Sequence, residues 1–113
     1  MATEISKDAA SAVTALHRAI EENYDSLKQQ CTSEAQLRQL KDLQAAARDA
    51  FWEIQAKTFA SDNLEVQTLT DQLNAANQKI SDSLAGLKDI VQFLNFATEA
   101  VGLAASLAKL AAA

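Results

Sequence analysis

The side chains in this 113-residue chain that are able to do chemistry are few. His17 is the only histidine and Cys31 the only cysteine. On one helix they would stand 14 residues apart, roughly 21 Å along the axis, too far for a thiolate–imidazole pair within one chain. His17, Glu21 and Asp25 follow one another at intervals of four, which places an imidazole and two carboxylates on one helical face. As metal ligands they are a sparse set, and the Glu-x-x-His motif of di-iron bundles is absent. The expectation is a solvated acidic face. Cys31 is expected to pack as a small apolar residue at a helix end. No glycine-rich phosphate loop, Cys/His zinc spacing or calcium loop occurs. The sequence therefore predicts no catalytic residues, no metal, no cofactor and no enzyme.

The surrounding composition is that of a helical protein. There is no proline, and Gly86 and Gly102 are the only glycines. Alanine, leucine, glutamine and charged residues dominate, and β-branched runs at period two are missing. The length suits one domain, residues 1–113, with enough chain for a core of its own. Net charge is −5, all of it in residues 1–87, which carry eight basic and thirteen acidic side chains; residues 88–113 carry two of each. Without a basic patch, no nucleic-acid partner is expected, and an acidic body disfavours docking on anionic lipid. A single cysteine permits no intrachain disulfide and suits a reducing compartment. MATEISKD has neither a basic nor an apolar leader segment. These features predict a cytoplasmic protein, although export without a leader would leave no trace in the sequence.

Apolar spacing predicts four helices, at about 4–31, 34–60, 63–85 and 89–112. The first carries Ile5, Ala9, Ala12/Val13, Leu16, Ile20, Tyr24, Leu27 and Cys31 on one stripe. CTSEAQL breaks it, and Ser33 with Gln36 reads as a capping box. The second stripe is Leu37, Leu40, Leu43/Gln44, Ala47, Phe51, Ile54 and Thr58. Glu34–Arg38, Arg38–Asp42 and Glu53–Lys57 are opposite charges four apart on its outer side, each pair contributing roughly 0.2–0.5 kcal/mol. ASDNLE is the next break, with Asp62 and Glu65 as its capping pattern. From Val66 through Leu69, Leu73, Ala76, Ile80 and Leu84 to Leu87, Val91 and Leu94 the apolar residues recur at coiled-coil spacing.

Gly86 decides the architecture. As a C′ residue with Leu87 as its hydrophobic contact it would end one helix, and Asp89 with Gln92 would start another. That gives an all-α, antiparallel, up-down-up-down bundle of four helices. If the helix runs through Gly86, the alternative is three helices with a long protruding C-terminal one.

The final segment, IVQFLNFATEAVGLAASLAKLAAA, is apolar almost all round. Its polar or small positions, Lys88, Gln92, Asn95, Glu99, Gly102, Ser106 and Lys109, form one narrow seam at heptad spacing. Such a helix must be covered on most sides. As a lone bilayer span it is marginal. Eight strongly apolar residues in 90–108 favour insertion by about 2–5 kcal/mol, and a central Glu99 opposes it by about 2.5 kcal/mol. Thr98-x-x-x-Gly102-x-x-x-Ser106 has small-xxx-small spacing, as many alanine-rich helices do.

Together these features predict an interaction protein that forms a homo-oligomer or binds a helical protein through the last helix. Phe93, Leu94, Phe96, Val101, Leu103 and Leu107 are the candidate contact residues. Trp52 and Phe59, seven apart on one side of the second helix, are the secondary ones. The alternative is a membrane-active or lipid-surface-binding protein, toxin-like or coat-like, that uses the same helix.

Overall fold

A computed structural model describes residues 7–55, 64–86 and 89–110. Among these residues every element is a helix: α1 (Lys7–Glu22), α2 (Tyr24–Gln30), α3 (Glu34–Gln55), α4 (Leu64–Ala85) and α5 (Ile90–Leu110). The expected bundle of four long helices is present, with the first divided in two.

The division falls at Asn23, whose φ of −109° and ψ of 8° leave the helical region. Its Nδ2 donates to the Ala19 carbonyl at 2.8 Å, a local bond of the kind by which asparagine competes with helical backbone. The chain recovers at once, since Leu27 N–H bonds to the Asn23 carbonyl at 2.9 Å. The apolar stripe crosses the irregular residue, with Ile20 before it and Leu27 after it both in the core. Sequence spacing detects the stripe and misses the one-residue interruption.

Cys31 ends α2 in an extended conformation (φ −68°, ψ 133°). The capping expected before α3 forms with a small shift. Ser33 Oγ accepts from Gln36 N–H at 3.2 Å, but Gln36 Oε1 reaches back to Thr32, accepting from its N–H at 2.7 Å and its hydroxyl at 3.1 Å. The Glu34–Arg38 and Arg38–Asp42 ion pairs do not close. Thr58, Phe59, Asp62, Leu87 and Lys88, and with them the Glu53–Lys57 pair, lie outside the described residues.

The helix does break between Ala85 and Ile90, so the three-helix alternative does not hold. Gly86 is not the cap expected of it, because no described glycine has positive φ. The stop is instead a start signal. Asp89 Oδ1 accepts from Val91 N–H at 3.0 Å and Gln92 N–H at 3.4 Å. It satisfies backbone donors that the first turn of α5 cannot pair internally. Asp89→Ala is therefore expected to lower stability by about 1 kcal/mol, read as a shift in urea midpoint at constant slope.

Four apolar stripes meet in one core. α1 contributes Val13, Leu16 and Ile20; α3 contributes Leu40, Ala47 and Ile54; α4 contributes Val66, Leu73 and Ile80. α5 contributes the most, including Ile90, Phe93, Leu94, Ala97, Ala100, Ala104 and Leu107. α1 packs on α3 and α4, and α5 packs on the same two, so α1 and α5 occupy opposite corners. Consecutive helices α3 and α4 are thus diagonal rather than adjacent. Register bonds give the directions. Glu21 lies beside Gln44, and His17 beside Phe51, so α1 and α3 run antiparallel. Asn77 Nδ2 donates to the Ala12 carbonyl at 3.0 Å, and Asn23 lines the same cleft as Ala85, so α1 and α4 run parallel. The rod measures 53 × 22 × 19 Å.

Candidate functional site

The structure gives His17, Glu21 and Asp25 different surroundings. His17 turns sideways and stacks on Phe51, with ring centroids 4.6 Å apart and planes within 15°. Its Nδ1 is buried without a hydrogen-bond partner. Glu21 points outward and accepts from Gln44 Nε2 at 3.3 Å. Asp25 is exposed on α2, beyond the irregular Asn23. Among the described residues no three His, Cys, Asp or Glu side chains are placed to hold a metal ion. Cys31 is half-buried against the core, and its thiol donates to the Leu27 carbonyl at 3.4 Å. Burial pushes its pKa up, away from the thiolate character that a nucleophile needs. It packs as a helix-end apolar residue.

α5 is the element with most to explain, and the bundle sorts its residues sharply. Of the candidate contact residues, Phe93, Leu94, Val101 and Leu107 are buried in the chain's own core, while Phe96 and Leu103 are half-buried against it. None of the six is a surface residue in this fold. Their apolar character is used by α1, α3 and α4, because two flanking helices and one across the diagonal cover the inner side of α5. Trp52 is different: it is 64% exposed, its ring edge-on to Phe51 with centroids 5.5 Å apart. Phe59 falls outside the described residues, so the expected Trp52–Phe59 side has one described member.

What α5 offers to solvent is its seam. Gln92, Asn95, Glu99, Gly102, Ser106 and Lys109 are all exposed, as are Val91, Thr98 and Ala105 beside them. The seam read from the sequence is thus the outer face of the helix. It is nearly neutral, with Glu99 and Lys109 as its charges. Gln39 Nε2 donates across from α3 to Thr98 Oγ1 at 3.3 Å and closes one edge. On the other edge Lys79 Nζ of α4 lies 5.8 Å from the Phe96 ring centroid. Gly102 sits mid-helix with ordinary φ, and a Cβ built on it meets nothing within 4 Å.

Of the clefts lined by described residues, two stand away from this face. The larger, about 740 Å³ between α1 and α4, is lined mainly by polar side chains, among them Arg18, Asn23, Asn74, Asn77 and Gln78. Asn77 Oδ1 is buried there without a partner. The smaller, about 320 Å³, sits in the corner between α2 and α3. Sequence spacing finds neither, because each joins residues from two helices whose relative rotation no local pattern encodes. Comparison with known proteins gives no match: no family model, no curated protein and no solved structure is significantly similar to this chain.

Proposed function

We propose that this chain is a non-enzymatic helical interaction protein that self-associates, two copies meeting through the outer face of α5. The observation that carries this reading is Gly102. Glycine inside a helix costs about 0.5–1 kcal/mol relative to alanine. Among the described residues, neither a turn, a positive φ nor a close neighbour requires it here. Its remaining use is close approach by another backbone, and Thr98, Ala105 and Ser106 around it are small enough to admit one.

Charge selects a second copy as that neighbour. Glu99 and Lys109 lie on the same exposed face, ten residues apart and symmetric about Ala104. In an antiparallel α5–α5 pair centred there, each Glu99 faces the partner's Lys109, as a twofold interface requires. The face carries none of the net charge of −5, so the bodies repel least where they would touch.

Sedimentation equilibrium over a wide concentration range tests this. Wild type is expected to give a reversible dimer. Glu99→Lys sets like charges opposite one another and is expected to weaken it by about tenfold, and Lys109→Glu likewise. The double exchange Glu99→Lys/Lys109→Glu restores it, since the pairing is reciprocal. Gly102→Leu abolishes it by steric block without disturbing the fold. A chain still monomeric at about 1 mM, where even an association of roughly 4 kcal/mol would show, sinks the reading.

One fact favours a second reading, of a protein active at membranes. α5 is long and apolar enough to cross a bilayer by length and composition, with a mean hydropathy of 1.4 over its best window. The core helix of a soluble bundle passes the same test, and insertion would strip Phe93, Leu94 and Leu107 from their present neighbours. Flotation with neutral and with anionic vesicles decides: protein that stays at the bottom with both disposes of it.

A further inference from the structure

In this acidic chain, three of the ten Lys/Arg residues converge on one corner. Lys28 stands in the last turn of α2, and Arg38 and Lys41 stand one turn apart on α3. With Tyr24, Leu37 and Glu34 they line the cleft of about 320 Å³. The corner is built by the connection itself: Cys31 is extended, and Thr32 and Ser33 are both tied to Gln36.

None of the three cationic side chains makes an ion pair or hydrogen bond with another described residue. Arg38 has carboxylates four residues away on either side and pairs with neither. Glu34 is the one acidic residue of the lining, so its net charge is +2. The rest of the wall is apolar. Tyr24 is half-buried against the core, Leu37 is partly exposed, and the methylene stems of the lysines and arginine add to it. The volume falls at the small end of ordinary ligand clefts.

We propose that this corner binds a small amphipathic anion: one carboxylate or phosphate group on a short aliphatic or aromatic body. The Arg38 guanidinium presents a fork that matches two oxygens of such a group. Lys28 and Lys41 add charge from either side, and the body lies against Tyr24 and Leu37. This site is separate from the outer face of α5 and stands or falls independently of it.

The test is an amide-shift NMR titration of the whole chain with four probes: octanoate, phenyl phosphate, inorganic phosphate and octan-1-ol. Saturable shifts centred on residues 24–41 are expected with octanoate, phenyl phosphate or both, and the two organic anions tell carboxylate from phosphate. Inorganic phosphate and octan-1-ol are expected to bind at least about tenfold more weakly, each lacking one half of the ligand. Arg38→Gln, an exposed change that leaves the core intact, is expected to weaken the organic anion by about tenfold. Arg48→Gln, an exposed change on α3 away from this corner, leaves it unchanged. No saturation by either organic anion at about 20 mM, equal affinity in Arg38→Gln, or equal binding of inorganic phosphate or octan-1-ol would each overturn the proposal.

Discussion

Phe93→Ala is expected to lower the unfolding free energy by about 3–5 kcal/mol, the range for deleting a fully buried aromatic ring. Phe93 has no exposed surface and is the largest side chain so placed among the described residues. It projects from the first turn of α5 into the core shared with α3 and α4. Its removal takes away the transfer energy of the ring and leaves a cavity that four packed helices close only in part. A domain of this size has about 5–15 kcal/mol of stability in all, so the loss is a large share of it. Urea denaturation followed by circular dichroism measures it, with Phe96→Ala as the internal comparison. Phe96 is three residues on and half-buried under Lys79, so its truncation is expected to cost distinctly less. Equal losses would mean that the two phenylalanines are not sorted as the fold has them. The same experiment guards the dimer test. A Phe93 variant that loses association does so by unfolding, not by removing a contact.

Ala104→Leu carries the next largest effect, about 1–3 kcal/mol of destabilisation. Ala97, Ala100, Ala104 and Ala108 recur at intervals of three, four and four along α5, and all four are buried. Where only a methyl group projects, the neighbouring helices come close, and three added carbons have no unoccupied space to enter. Ala105→Leu is the control. It adds the same atoms one residue later, on the exposed face, and is expected to change monomer stability by less than about 0.5 kcal/mol. The pair of substitutions asks whether alanine in this helix marks tight packing or merely helix propensity. If Ala104→Leu is as mild as Ala105→Leu, the close approach to α5 is not real.

Much of the architecture was legible because it is local. Composition and spacing at three and four give the all-α class and the four long segments, since a helix repeats its environment every 3.6 residues. Capping side chains give the starts at Ser33 and Asp89, since they satisfy backbone donors a few residues away. The polar seam from Gln92 to Lys109 is exposed as its period implies. Local chemistry also has local exceptions that spacing does not resolve: the interruption at Asn23, the reach of Gln36 to Thr32 and the ordinary φ of Gly86.

What depends on the distance and rotation between helices was not legible. An apolar helix reads the same whether its own bundle or a partner covers it; only packing against α1, α3 and α4 turned Phe93, Leu94, Val101 and Leu107 inward. His17 stacks on Phe51 because α1 and α3 run antiparallel in that register. Lys28 meets Arg38 and Lys41 because the chain reverses between Cys31 and Ser33. α3 and α4 stand on a diagonal although they follow one another in the chain. The sequence by itself determined the helices, most of their ends and which face of each is polar, because these follow from contacts within a turn or two. The tertiary structure alone decided which faces meet, because that is set by complementarity between surfaces tens of residues apart, where no periodic signal reaches.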